Sequence, residues 1–434
     1  MSLKVAYFQA DATPPIDNDI MLCFGGVPST IRIADPLSAR GIVIFSDELP
    51  VVLCAVDWVG IANKSHDEWR KVLAIAAGTS PERVSVHSLH QHDTPSMDRT
   101  AFETIAKKSG NKILKNIDFE DRVIKSTANA LKLALENAEE ISHISVGKAR
   151  VDKFASNRRI QDPDGKVIFT RFTACSNEIF RHHSEGIIDP FVRSVCFYNQ
   201  EKPLISMTYY ATHPQSFYRK GTVSADTVGL ARYLREAVEP ETKHIHFCGA
   251  GGNIGAGKYN DGSPENRFKL AERLARGMRE AWETSVKIPV IAADFSWKSL
   301  NLTLPIDNKY LGKEAELKIQ HEIFENNSLG EARRLSYLRR HKSGKGVDLS
   351  CMRIGPVSML HMPGELFVEY QLAAQAMLPG EMVCMAAYGD YGPSYIGTAE
   401  AYGQGGYEAS ANIGCPVPEV ETVLMEAMQE LLSR

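Results

Sequence analysis

The densest chemistry in the chain lies at Val84–Pro95, VSVHSLHQHDTP, with His87, His90 and His92 followed by Asp93. Neutral imidazole is a favoured zinc ligand. A β-branched run, Val84-Ser85-Val86, leads in. Continued as a strand, it would point side chains two apart to one face, so that His90 and His92 converge. An HxH pair alone equally suits solvated or core histidines, and a zinc site needs further donors from elsewhere.

A second stretch is Gly249–Asp261, GAGGNIGAGKYND. From Gly252 it spells GxxxxGK, the phosphate-cradling loop of nucleotide hydrolases. Tyr259 stands where Mg²⁺ needs a Ser or Thr hydroxyl, and Asn260–Pro264 breaks the chain where the phosphate-binding helix should begin. A GxGxxG reading fails at Ile254. The other readings are a flexible glycine loop, or glycines that bring backbone N–H groups and Lys258 against a polar substrate.

The elements that would position these residues alternate between strand and helix. Gly41–Val59 reads as two strands about a turn, and Ser65-His66-Asp67-Glu68 has capping-box form before a helix ending near Gly78. A helix over Phe119–Ala138 precedes a strand at Ile144–Val151. Strands at Ser194–Asn199, Leu204–Ala211 and His244–Cys248 surround a helix at Asp226–Ala237, and Pro264–Trp282 is a helix. Ala315–His341 is charged and helix-prone and reads as a solvated surface insertion. Met352–His361 reads as one strand, Phe367–Met377 as a helix, Met382–Ala387 as a strand and Glu419–Leu432 as the last helix. No internal repeat stands out. The expected fold is α/β, with mixed β-sheets flanked by helices, as one domain over 1–434.

At 434 residues the chain can bury a large core, and its 44% apolar and 24% charged residues are ordinary for a soluble protein. A formal charge of -4 and no long Lys/Arg run argue against nucleic acid or anionic membrane as partner. No signal peptide and no 18-residue apolar run are visible, so no membrane segment is expected. The eight cysteines are dispersed without a CxxC pair, which favours buried free thiols and a cytoplasmic location. The expected partner is a small-molecule substrate, with an oligomer possible.

Taken in order, the motifs resemble the neutral/alkaline ceramidase family in its N-terminal catalytic domain. Leu89-His90-Gln91-His92-Asp93-Thr94-Pro95 looks like THTHSxP, Asn157-Arg158-Arg159 like the NR motif, and Tyr210-Ala211-Thr212-His213-Pro214 like the second histidine motif. Ser224-Ala225-Asp226 is similar to S-x-D, Gly249–Gly257 to the GxxGDxxP loop, Met362-Pro363-Gly364-Glu365 to the PGE turn, and Tyr395–Glu408 to the tyrosine segment. The family's C-terminal immunoglobulin-like domain has no counterpart. The resemblance implies one zinc per chain, held by His90, His213, Glu365 and Tyr395, with Tyr388, Tyr391 and Tyr402 as competitors for the tyrosine position. It implies His92 as proton carrier or substrate contact, Tyr407 as oxyanion donor and Arg158 as a substrate anchor. Asp226 would orient a histidine or cap its helix.

The glycine loop departs from the family. The serine position falls at Gly255, Asp becomes Asn253 and Pro becomes Ala256, so no nucleophilic hydroxyl remains. The reading is a zinc hydrolase using metal-activated water on an amide, ester or lactone of a small polar substrate other than ceramide. Lys258, Tyr259, Asn260, Asn253 and Arg159 are the expected pocket residues. Two alternatives stand beside it. One is a non-hydrolytic metal-binding relative, a binding protein or isomerase. The other is a P-loop-like nucleotide enzyme using Gly252–Lys258.

Overall fold

The computed structural model describes residues 2–433 apart from 17–18, 24–29, 217–218, 220, 327 and 411–414. β1 (Lys4–Asp11), β2 (Ser38–Phe45) and β3 (Val51–Val56) form an antiparallel meander. α1 (Lys64–Ala77) then crosses over to β4 (Val84–Ser88), which pairs parallel to β3. α2 (Arg99–Ser109) and α3 (Lys115–Leu135) follow, and α3 packs back on β1.

The same order recurs. β5 (His143–Arg150), β6 (Phe191–Asn199) and β7 (Lys202–Tyr210) form a meander, α4 (Asp226–Val238) crosses over, and β8 (Lys243–Cys248) pairs parallel to β7. α5 (Glu265–Glu283) packs on β5 and β6, and β9 (Val286–Pro289) adds an edge. In the last third, β10 (Phe295–Leu302) is followed by α6 (Lys313–Asn326) and α7 (Leu329–Lys342). β11 (Val347–Ile354) and β12 (Val357–His361) complete the third meander. α8 (Val368–Met377) crosses over to β13 (Met382–Ala386), parallel to β12, and α9 (Val420–Leu432) closes the chain.

The architecture is the expected α/β class with mixed sheets, but it contains a repeat that the sequence does not announce. Pairing sense is set by backbone geometry and crossover length, so units with unrelated side chains can share it. The parallel pairs are the buried part: β3, VVLCAV, is buried at every position, as expected for strands covered on both faces. β8 packs against β3, β4 and β13, and the rings of His87, Phe247 and His361 meet between the sheets, with His87 5.4 Å from His361 and 6.1 Å from Phe247. The carboxyl ends of the parallel strands therefore open toward one region, where open α/β sheets bind ligands.

Several local expectations change. Ser65 is not the cap of α1; Asn63 is, and Ser65 Oγ donates to Glu120 Oε2 at 3.0 Å. Met352–His361 is not one strand, because the chain turns at Gly355, whose φ of 54° suits glycine. The charged stretch Ala315–His341 is not a solvated insertion. α7 buries Ala332, Leu335, Tyr337 and Leu338, and its Arg340 reaches Asp67 on α1 at 2.7 Å.

Candidate metal centre

The loops after the parallel strands each deliver part of one cluster. β4 ends at Ser88, and the chain turns with His90 at φ 64°, a conformation that L-residues rarely adopt. His90 N donates to Trp58 O at 2.9 Å, which holds the turn against the loop after β3. The HxH pair thus lies on a loop and not on a strand, and the turn still brings both rings to one point. His213 follows β7: its Nε2 lies 2.8 Å from His92 Nε2 and 3.2 Å from His90 Nε2. Glu365 follows β12, with Oε2 3.3 Å from His90 Nε2. Every member of this set is buried.

The outer hydrogen bonds fix the tautomers. His90 Nδ1 faces the Val59 carbonyl at 2.6 Å, so its proton sits there and Nε2 is bare. His213 Nδ1 faces Gly251 O at 3.4 Å and Glu365 Oε2 at 3.6 Å, both acceptors, so its Nε2 is bare too. His92 differs. Its Nδ1 accepts from the Gln215 carboxamide nitrogen at 3.0 Å, which leaves the proton on Nε2, directed at His213. Burial, with the neighbouring His90 and Arg158, pulls both His92 and His213 well below the ordinary histidine range, so they are neutral.

This arrangement fits a cation. Two bare imidazole nitrogens face each other, and Glu365 Oε2 is buried without a hydrogen-bond donor among the described residues. His90, His92 and His213 are also the group of ligating atoms in the described residues close enough to share one ion. An imidazole–imidazole–carboxylate set is ordinary zinc chemistry.

Four tyrosines surround it. The register pairs Glu365 with Tyr395 in a short parallel ladder, and Tyr395 lies over the Arg158 guanidinium at 5.1 Å. Burial pushes its phenol well above the usual range, while Arg158 pulls it down. Tyr391 Oη donates to Glu365 Oε1, and Tyr388 stacks on His90 with ring centroids 4.3 Å apart. Tyr407, 43% exposed, stands 5.8 Å from the Tyr395 ring. Tyr402 is off the cluster, on the far side of Tyr395 beside Glu408. A cavity of about 250 Å³ is lined by His92, Glu365, Tyr391, Tyr395 and Tyr407, together with Asn63, Asp98, Arg333 and Tyr337.

The other expected site residues are placed differently. Arg158 Nε donates to Glu408 Oε1 at 2.6 Å, and Arg159 binds the other oxygen at 2.8 Å. Burial opposes the charge on Arg158, but Tyr395 and Glu408 hold it above the ordinary range. Asp226 accepts from Thr227 N at 2.6 Å and Ser216 N at 3.0 Å, and none of these bonds reaches a histidine. It is the first residue of α4, whose cap position is Ala225, and it pins the segment behind His213. Lys258 Nζ donates to the carbonyls of His182 and His183, and Tyr259 Oη to Glu185. Asn260 holds Thr173 O and Ser216 O; Asn253 joins Glu369 to the start of α8. None of these four lines the histidine cavity. A larger cavity, about 820 Å³, contains Arg159 and Arg171 but no member of the cluster.

The glycine loop is a spacer. A Cβ on Gly251 would lie 2.3 Å from Thr212 O, and one on Gly252 2.4 Å from Glu365 O. The backbones that carry His213 and Glu365 can close together only over glycine. Gly252 N donates to Leu366 O, and the chain enters the short strand Ile254–Gly255 instead of a helix. The phosphate-cradle reading fails on both counts. Sequence reasoning missed Gln215, Asn63, Asp98 and Arg333. Only Gln215, two residues after His213, carries a local signal.

No family model matches this sequence, and no curated protein does. Among solved structures, the chain is similar to the neutral ceramidase from Pseudomonas aeruginosa, with a TM-score of 0.71 at 16% identity, over 99% of this chain and 74% of that one. It is equally similar to a ceramidase complexed with C2, with a TM-score of 0.70 at 15% identity, over 99% of this chain and 75% of that one. This chain therefore has the neutral-ceramidase fold.

Proposed function

We propose that this protein is a zinc-dependent hydrolase acting on an amide, ester or lactone of a small polar substrate, with one zinc per chain. The observation that carries the reading is the pair of bare Nε2 atoms on His90 and His213 beside the donor-free Oε2 of Glu365. The ceramidase likeness of the fold supports the hydrolase class, and the resemblance of the tyrosine segment supports Tyr395 as fourth ligand. Bound there, zinc would acidify a water and polarise a carbonyl.

The chain's own groups would do the rest. His92, whose proton faces the cluster, moves protons between the reacting atoms and the cavity, held in that tautomer by Gln215. Tyr407 stands at the cavity as donor to developing negative charge. Arg158 acts through Tyr395 and Tyr407, which it underlies, rather than by gripping substrate. Asp226 positions the His213 segment. The cysteines are buried and form no disulfide among the described residues, which supports the cytoplasmic reading.

The glycine at position 255 favours a second reading, a metal-binding relative without hydrolytic activity. Gly255 lies in a strand paired with Ser156, where it offers no side chain. Elemental analysis of wild type, His90→Ala and His213→Ala, followed by an ester, lactone and amide screen, separates the two. About one zinc per chain, lost in both variants, with turnover in wild type alone, is the expected result. Zinc without turnover on any class favours the second reading, and folded protein that takes up no zinc sinks both.

A further inference from the structure

Asn63 departs from its local role in two ways. It is the N-cap of α1, and asparagine is favoured there because its side-chain oxygen accepts from the first turn. Here the side chain makes no cap bond. The backbone also sits at φ 53° and ψ -124°, outside the regions that L-residues adopt without strain. Strain of this kind persists where the surroundings over-determine it, and it gathers at functional sites.

The partners of Asn63 fix where its carboxamide points. Nδ2 donates to Asp98 Oδ2 at 2.8 Å, and only the nitrogen end can satisfy a carboxylate. Asp98 is held in turn as the cap of α2, accepting from Ala101 N and Ser336 Oγ, each at 3.1 Å. Asp390 Oδ1 accepts from Asn63 N at 2.8 Å and from Gly392 N at 2.9 Å, which clamps the two residues together. The carboxamide oxygen is left over. Asn63 is 2% exposed, and its Oδ1 has no hydrogen-bond partner among the described residues. Asn63 and Gly392 both line the cavity that His92 and Glu365 share. A Cβ on Gly392 would lie 2.6 Å from Asn63 Oδ1, so the glycine keeps that oxygen uncovered.

We propose that Asn63 Oδ1 is a specificity-determining acceptor that reads a hydroxyl on the part of the substrate filling this cavity, so that the site takes short hydroxylated chains over plain alkyl ones. The inference rests on the metal-hydrolase reading above. A buried acceptor selects for a donor, because a ligand without one leaves it unpaired. The rest of the cavity agrees. A volume of about 250 Å³ holds roughly eight waters at about 30 Å³ each, room for a short chain only. Tyr337, Tyr391 and Tyr395 line it and suit the methylenes. A hydroxyl supplies one donor in the least space. An amide N–H would bring a carbonyl that needs a donor of its own, and an ammonium would meet the charge of Arg333 on the same wall.

The test is titration calorimetry on zinc-supplemented protein with hydroxamates, whose head group chelates zinc and directs the chain into the cavity. Terminal hydroxyacyl hydroxamates, from glycolic to hydroxyvaleric, are each compared with the alkanoyl hydroxamate in which a methyl replaces the hydroxyl. At one chain length wild type should bind the hydroxyl compound about tenfold or more tighter, the effect of pairing one buried acceptor. Asn63→Gly tolerates the positive φ and removes the acceptor, and Gly392→Ala covers it. Each should bring the ratio close to one; thermal melts establish that both fold. A ratio near one at every length in wild type overturns the proposal, as does a preference that Asn63→Gly leaves intact. If neither variant folds, a crystal structure of wild type with the preferred hydroxamate decides, by whether its hydroxyl lies within hydrogen-bond distance of Oδ1. Binding of no hydroxamate at all sinks the metal centre and the inference with it. Preference without ester or amide turnover leaves the hydroxyl subsite standing and sinks the hydrolase; turnover without preference does the reverse.

Discussion

Tyr391 donates its hydroxyl to Glu365 Oε1, which turns Oε2 toward His90 Nε2 at 3.3 Å. A carboxylate fixed at one oxygen presents the other to a cation without losing rotamer freedom on binding. Removing that hydroxyl should loosen the metal rather than abolish it. Tyr391→Phe is expected to weaken zinc binding by about 10–100-fold, the usual effect of losing an orienting partner, whereas Glu365→Gln removes a ligand and should leave no stoichiometric zinc. Competition against a fluorescent chelator measures both. Equal affinity in wild type and Tyr391→Phe would show that the tyrosine does not position the carboxylate.

The glycine loop predicts a contrast between two substitutions of the same kind. A Cβ at Gly252 would stand 2.4 Å from the carbonyl oxygen of Glu365, an approach that backbone cannot absorb. At Gly255 the nearest atom, Thr173 Oγ1, is 3.3 Å away and belongs to a side chain. Gly252→Ala should therefore displace Glu365 and lower zinc occupancy, while Gly255→Ala keeps it. A nucleotide-cradling loop would instead lose ATP binding with zinc unchanged, so zinc content and ATP binding measured on both variants separate the roles.

Arg158 and Glu408 form an ion pair with side-chain exposures of 1% and 0%. Such a pair is worth little over an apolar replacement, but breaking it leaves a buried charge uncompensated. Glu408 also receives Arg159, so Glu408→Gln weakens the anionic partner of two cations at once. The expected loss is about 3–5 kcal/mol of unfolding free energy, read by urea denaturation. A loss under about 1 kcal/mol would mean that water reaches the pair, as at exposed ion pairs.

What was legible in the sequence is uneven for physical reasons. That His90, His213 and Glu365 come together was legible because each sits in a short motif next to a strand end, and strand ends are legible from their apolar runs. The placement of HxH on a strand failed because VSVHSLHQH keeps its alternating pattern past Ser88, while the turn at His90 is held by Trp58 O, a partner that no local pattern announces. α7 was misread because its charges look solvated. Arg340 is matched by Asp67, far away in sequence, and Arg333 faces a cavity that exists only once three sheets have assembled. Lys258 was legible as a cation after glycines, but its partners, the carbonyls of His182 and His183, lie at the end of the short helix Glu178–His182, which no local pattern ties to it.

His246, on β8, sets a pH dependence of stability away from the metal centre. It is buried, its Nδ1 pairs with Thr208 Oγ1 at 2.9 Å, and Nε2 has no hydrogen-bond partner among the described residues. Burial pulls it down to about 3, Arg232 adds to the effect and Asp57 opposes it. Between that value and the ordinary 6.5, the unfolded chain binds a proton that the folded one refuses. Its contribution is therefore complete above the ordinary value and is lost as pH falls, at about 1.4 kcal/mol per pH unit. His246→Gln retains a polar partner for Thr208 and cannot be protonated, so its stability should fall less between pH 6 and pH 4 than that of wild type (roughly those limits bracket the linkage window). The other buried histidines are common to both proteins and cancel in the comparison. Urea midpoints at the two pH values give the answer: equal falls in the two proteins would show that His246 is hydrated or already charged when folded.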